Sequence, residues 1–164
     1  MEDFLQSLED AFELRLAGER NAEVFELAEA ARTGTRLRDV VRHEEGGYVS
    51  FDMRSGGRIE GIAQNINVAW AEVKNAGGLS IVALRHIVAL RSKGRSEVSP
   101  SKLEERRTIG AIMRQIARTG RIVQVLGEDG RTWRGRITGV GADYLQLDRM
   151  QVVRLDFIET IRPV

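Results

Sequence analysis

The side chains of this chain that are best suited to chemistry are arginines and two aromatic residues. Trp70 and Tyr144 stand 74 positions apart in matching sequence contexts, and Arg134 and Arg136 shortly precede the second of them. An aromatic ring can stack on a nucleobase, and a guanidinium can contact phosphate or lie over an aromatic ring. If these side chains point outward, they form a candidate RNA-binding surface. The alternative is that the rings pack beneath the chain's own helices.

More arginines occur in a predicted helix that begins after residue 101. Apolar residues recur along one side of this helix, and the opposite side carries Arg107, Arg114 and Arg118. These three side chains are candidates for contact with a nucleic-acid backbone. A solvated helix face and pairing with an acidic part of the chain are the alternatives.

The sequence contains no arrangement typical of catalysis or metal binding. It has no cysteine, and its two histidines, His43 and His86, lie in different contexts. Structural zinc sites take Cys and His ligands at characteristic spacings, and a nucleophilic serine of the hydrolase type requires an elbow motif. We therefore expect a protein that is not an enzyme and uses neither a metal nor a cofactor.

Composition favours a cytoplasmic location. The absence of cysteine fits a reducing compartment. The first five residues are too acidic for a secretory signal, and no apolar run approaches the length of a membrane span. We expect no membrane partner.

Charge is distributed unevenly along the chain. Residues 1–31 contain nine acidic and two basic side chains, whereas residues 32–164 contain 15 acidic and 23 basic ones. An acidic segment beside a basic body indicates self-association or a cover over the basic surface, and two solvated surfaces are the alternative. The acidic segment also has an apolar stripe that requires a partner: Leu5, Leu8, Phe12 and Leu16. We expect a homo-oligomer, most simply a dimer.

The second half of the chain repeats the first half. Residues 49–61 align with residues 123–135 at an offset of 74 positions. After a three-residue shortening the match resumes, with Ile87 over Ile158 and Arg91 over Arg162. Two copies of one small β module are the simplest interpretation.

Hydrophobic alternation with a period of two predicts five strands in each copy. The predicted strands lie near 48–53, 58–64, 68–74, 79–83 and 87–91, and near 122–127, 132–138, 143–148, 150–154 and 158–162. A short helix precedes each set. Five short, bent strands predict a small closed barrel, because closure removes exposed edges.

The fold class we expect is mainly β with some α, in four segments. An acidic helical arm over 1–34 is predicted to contain two helices that are separated at Gly18. The first barrel and its lead-in helix occupy 35–91, and a polar linker follows over 92–101. The second barrel and its lead-in helix occupy 102–164, where Ser101 and Glu104 have the spacing of a capping box.

The repeats resemble the Sm-like family, which includes the eukaryotic Sm and LSm proteins and bacterial Hfq. Members have a helix followed by a bent five-strand barrel, with a glycine turn and a further glycine in strand two. The matching residues here are Gly56, Gly61, Asp129-Gly130 and Gly135. The resemblance covers 43–91 and 117–163. It implies two tandem barrels that bind RNA and that join edge to edge through strands four and five.

The chain departs from the family where many members bind a base. Those proteins have an Asp in the bend after strand two and an Asn behind it. This chain has Asn67 and Gly141 in the bend, followed by Trp70 and Tyr144. RNA binding or RNA-linked regulation is the leading hypothesis. A protein-interaction and assembly module that binds no nucleic acid is the alternative, and a transcription factor is third.

Overall fold

A computed structural model describes the backbone of residues 2–92 and 108–164, and the side chains of residues 13–29, 34–92 and 108–164. Within these residues the protein is mainly β, with three α-helices and ten strands. The chain divides into a helical unit that ends at Leu37 and a β unit that begins at Arg38. Arg107, the predicted capping box and all of the predicted linker except Ser92 lie outside the described residues.

The helical unit consists mainly of one continuous helix, α1 (Glu2–Thr33). The predicted break at Gly18 is therefore wrong. A glycine costs about 1 kcal/mol relative to Ala inside a helix, but α1 is otherwise rich in Ala, Glu, Leu and Arg, which are strong helix formers. Apolar side chains such as Leu14 and Phe25 are exposed on this helix. The expected stripe lies, apart from Leu16, outside the described side chains.

The β unit contains all ten strands expected from the sequence, with bounds that agree within two residues. After α2 (Leu37–His43), the first repeat forms β1 (Tyr48–Met53), β2 (Arg58–Gln64), β3 (Trp70–Asn75), β4 (Gly78–Ala83) and β5 (Ile87–Ser92). After α3 (Ile109–Arg118), the second repeat forms β6 (Ile122–Gly127), β7 (Thr132–Val140), β8 (Tyr144–Leu147), β9 (Gln151–Arg154) and β10 (Ile158–Pro163).

Both repeats arrange their strands in the same order and register. The sheet order is β5-β1-β2-β3-β4-β10-β6-β7-β8-β9, so the five strands of each repeat are neighbours. Val49 pairs with Gly61 in the first repeat, as Val123 pairs with Gly135 in the second. The alignment made from the sequence is thus confirmed at the level of individual strand pairs.

The strands form one open antiparallel sheet, which differs from the two separate closed barrels expected from the sequence. Closure of the first repeat on itself would require β4 to pair with β5, but the neighbours of β4 are β3 and β10. Val82 lies opposite Thr160, and Ile81 lies opposite Ile161. The predicted edge-to-edge pairing of strand four of one repeat with strand five of the other is confirmed.

Each repeat has its own cluster of buried residues, and one cluster crosses the junction. Phe51, Val73 and other first-repeat residues form the first cluster. The second cluster combines second-repeat residues with three from the first repeat: Trp70, Ile81 and Ala83. The end of the first repeat therefore completes the core of the second.

Gly61 allows β2 and β3 to approach closely, as expected from the sequence. A Cβ atom at this position would overlap the Lys74 carbonyl oxygen on β3. We expect Gly61→Ala to lower the free energy of unfolding by about 1–3 kcal/mol, the usual cost of overpacking. Urea denaturation measures this change. Gly57→Ala is the matched control, because a Cβ there meets only the Ser55 side chain at van der Waals distance. Equal stability of the two variants would contradict the tight approach.

Candidate nucleic-acid interface

The strands β6 and β7 bury one face of the sheet, and on the other face β7 exposes polar side chains. Val123 and Val125 of β6 are buried, whereas Arg134 and Arg136 of β7 are exposed. This alternation arises because successive side chains of a strand point to opposite faces of the sheet. The outward orientation expected for both arginines is therefore confirmed.

A third arginine extends this polar face across the sheet. Gln124 of β6 lies opposite Arg134 on one side and opposite Arg162 of β10 on the other. The Arg162 Nε donates a hydrogen bond to the Gln124 Oε1 at 2.9 Å. Strands are about 4.8 Å apart, so the Cα atoms of Arg134 and Arg162 lie roughly 10 Å apart. Arg134, Arg136 and Arg162 are called the arginine row below.

On the same face of the first repeat, an acidic residue replaces one of these arginines, and another arginine is paired with a carboxylate. Glu60 stands where the second repeat has Arg134, and it accepts a hydrogen bond from the Ser50 hydroxyl at 3.0 Å. Arg91, the counterpart of Arg162, lies 2.9 Å from a carboxylate oxygen of Asp52. A hydrogen bond from Arg58 holds the pKa of Asp52 below its ordinary value.

Among the described residues, the arginines of the row have no carboxylate partner of this kind. Among the residues that the structure describes, no carboxylate forms an ion pair with any of its three guanidinium groups. Positive charge on this face is therefore concentrated in the second repeat. Arg162 stood out in the sequence only as the repeat match of Arg91, and its position on this face was not predicted.

A shallow cavity of about 420 Å³ lies beside the row, between Arg134, Arg136 and Asp148. The Asp148 carboxylate accepts a hydrogen bond from the Arg136 backbone N–H at 2.9 Å. A side chain at Gly135 would overlap this carboxylate. Glycine at this position therefore lets Asp148 bind the backbone of β7, while both arginine side chains remain exposed.

The helix α3 carries the other candidate arginines. The Thr108 hydroxyl caps it by accepting a hydrogen bond from the Ala111 N–H, and Ile112 and Met113 are buried. Arg114 and Arg118 are exposed on the other side. Because α3 packs against β7, these two arginines lie on the element next to the strand that carries Arg134 and Arg136.

Trp70 is unsuited to stacking on a base. Its side chain is 4% exposed and belongs to the second buried cluster. The Arg85 guanidinium lies 5.8 Å from the centre of its ring. The outward orientation considered for Trp70 is therefore wrong. Its strand, β3, lies next to β4, which pairs with the second repeat, and the ring packs in the core of the second repeat.

Tyr144 occupies the equivalent position of the second repeat and is 41% exposed. Its neighbours in β8, Leu145 and Leu147, are buried, as the alternation predicted. The ring lies against Gly141, where a Cβ atom would overlap it. Tyr144 thus has an accessible ring, although one part of it rests on the backbone.

The described residues contain no group of three or more His, Cys, Asp or Glu side chains that could hold a metal ion. No helix within the same part of the chain is long and apolar enough to cross a membrane. The chain matches no protein-family model, and the searches of curated proteins and of solved structures found no significant match.

Proposed function

We propose that the protein binds single-stranded RNA through the arginine row and its neighbouring cavity. The observation that carries this proposal is the set of three exposed arginines on β7 and β10, the two strands that flank β6, without a carboxylate partner among the described residues. Phosphate groups are the ligands that such guanidinium groups favour, because each phosphate oxygen accepts charge-assisted hydrogen bonds. Arg114 and Arg118 extend the positive charge onto α3.

We propose an Sm-like fold for each repeat. Identical strand order, a helix before each strand set and a separate buried cluster in each repeat support it. Irregular pairing at Met53 and near Glu159 supports local bending of the strands. The bend residues Asn67 and Gly141 differ from the family pattern for base binding, so we propose recognition of the RNA backbone with little sequence preference.

A protein-interaction module is the second candidate, and the open sheet favours it. The strands β5 and β9 are the two edges of the sheet. Edge strands present unpaired backbone donors and acceptors, which pair readily with another chain. This property is compatible with RNA binding, because the arginine row lies on a face of the sheet and involves neither edge strand.

Two matched substitutions test the RNA proposal. We expect Arg162→Gln to weaken binding of a labelled single-stranded RNA about tenfold, since one charge-assisted contact contributes roughly 1.5 kcal/mol. Arg91→Gln, the same change at the equivalent position of the first repeat, should leave the affinity unchanged, because Arg91 already pairs with Asp52. Fluorescence anisotropy at constant salt measures both. Equal effects of the two substitutions would place binding elsewhere.

A further inference from the structure

The hairpin between β8 and β9 turns through two residues with left-handed backbone conformations. Asp148 and Arg149 have φ angles of 50° and 60°. The Met150 backbone N–H donates a hydrogen bond to the Leu147 carbonyl at 3.1 Å. Positive φ at both central positions is a feature of the type I′ turn, which prefers Asn-Gly or Asp-Gly. Asp adopts such angles comparatively readily, but Arg at the second position is strained, because its Cβ crowds the backbone.

The equivalent hairpin of the first repeat, between β3 and β4, avoids this strain. Its positive φ angle, 111°, belongs to Gly78. The three-residue shortening of the second repeat falls in this hairpin and leaves no glycine there. A strained residue persists only where its neighbours hold it in place, and such residues are common at sites that clamp a ligand. The contacts around Arg149 therefore indicate what the strain is used for.

Side chains and backbone of β7 and β8 hold this turn in place. The Arg149 backbone N–H donates a hydrogen bond to the Thr138 hydroxyl at 2.9 Å, and the Gln146 side-chain amide donates one to the Arg149 carbonyl at 3.3 Å. The Asp148 backbone N–H donates to the Arg136 carbonyl at 2.9 Å. The Asp148 carboxylate accepts a hydrogen bond from the Arg136 N–H at 2.9 Å. The turn is thus fixed to the backbone of a residue of the arginine row.

This anchoring places Arg149 at one end of the arginine row. Arg136 and Thr138 are both exposed on the same face of β7, and two residues of a strand extend about 6.6 Å. The Arg149 side chain is exposed, and no carboxylate of the described residues forms an ion pair with it. Asp148 lines the same cavity as Arg136. The strained turn therefore adds a fourth guanidinium group next to this cavity.

We propose that Arg149 contacts a phosphate group of bound RNA, and that Asp148 is a positioning residue that holds Arg149 beside Arg136. This inference rests on the proposed RNA binding. It extends the path of the RNA from Arg162 on β10, across β7, to the hairpin between β8 and β9. A guanidinium group on a fixed turn loses less conformational freedom on binding than one on a mobile loop, and this preorganisation favours affinity.

Arg149→Gly tests the proposal most sharply, because stability and RNA affinity should change in opposite directions. Glycine adopts positive φ without strain, so we expect the urea midpoint of unfolding to rise. The affinity for a labelled single-stranded RNA should fall about tenfold, since one charge-assisted contact is lost. The slope of log Kobs against log salt concentration should become smaller in magnitude by about 0.7. Urea denaturation and fluorescence anisotropy measure these changes.

Two further substitutions are the controls for this variant. Arg149→Lys keeps the positive charge and should keep the salt dependence of the wild-type protein. Arg131→Gly makes the same change in the turn at the other end of β7, where Arg131 is exposed and lies 2.9 Å from a carboxylate oxygen of Asp129. It should leave the RNA affinity unchanged.

The positioning role of Asp148 is tested by two substitutions that both remove its negative charge. An effect of charge alone would tighten RNA binding in both variants, because the carboxylate repels phosphate. Asp148→Asn keeps an oxygen that accepts the Arg136 N–H, and Asn tolerates positive φ, so we expect an affinity at or above the wild-type value. Asp148→Ala removes this acceptor and frees the turn. We expect it to bind the same RNA several-fold more weakly than Asp148→Asn.

Any one of four results would overturn the proposal: unchanged RNA affinity in Arg149→Gly, equal losses in Arg149→Gly and Arg131→Gly, a lowered urea midpoint in Arg149→Gly, or an affinity of Asp148→Ala that equals or exceeds that of Asp148→Asn. Weaker binding by Arg162→Gln alongside such a result would leave RNA binding by the row intact and refute only the role of the turn. A wild-type protein that binds no RNA would refute both.

Discussion

Replacement of both Arg134 and Arg136 by glutamate is expected to lower the affinity for single-stranded RNA at least about 100-fold. A hydrogen bond to a charged group contributes about 1.5–3 kcal/mol. Two such contacts at the low end amount to about 3 kcal/mol, or roughly two decades in Kd. Glutamate also repels phosphate, which adds to the loss. Fluorescence anisotropy with labelled RNA at one salt concentration measures the change.

Replacement of Arg114 and Arg118 by glutamate is the comparison for this variant. These arginines lie on α3, beside the strand that carries the row, and we expect a smaller loss that is the same for all RNA sequences. All four side chains are exposed, so the urea midpoint should stay at the wild-type value in both variants. Unchanged RNA affinity in a correctly folded Arg134→Glu, Arg136→Glu protein would exclude the row as the binding surface.

Replacement of Trp70 by alanine is expected to cost about 3–5 kcal/mol of folding stability, as large-to-small changes of buried aromatic residues do. Trp70 belongs to the core of the second repeat although it comes from the first. Its loss therefore weakens the junction between the repeats. Urea denaturation followed by circular dichroism measures the change, which is a large fraction of a typical total stability of about 5–15 kcal/mol.

Tyr144→Ala is the matched control, because Tyr144 occupies the equivalent position but is half-exposed. We expect a loss of stability below about 1 kcal/mol, in the range of surface substitutions. Equal destabilisation by the two substitutions would contradict the difference in burial between the repeats.

The sequence predicted the strands well because their signals are local. Alternation of apolar residues and glycine turns depends only on neighbours in the chain, and each signal occurs twice in register. The pairing of β4 with β10 also followed from the resemblance to a known family. Gly18 shows the limit of a single-residue signal, since one glycine did not end a helix of 32 residues.

The candidate binding surface was harder to predict because it depends on contacts across strands. Arg134 and Arg136 were found through alternation within β7. Arg162 was missed, because only the pairing of β10 with β6 places it across Gln124 from Arg134. The outward orientation considered for Trp70 was wrong for the same reason. Burial at this position depends on residues of the second repeat, which are far away in the sequence.

The salt dependence of RNA binding tests the central claim most directly. Each phosphate contact to single-stranded nucleic acid releases counterions and contributes about −0.7 to the slope of log Kobs against log salt concentration. The three arginines of the row therefore contribute about −2 to the slope of the wild-type protein, and the Arg134→Gln, Arg162→Gln variant should have a slope smaller in magnitude by about 1.4. A slope near zero, or no RNA binding at low salt, would contradict recognition of RNA by the arginine row.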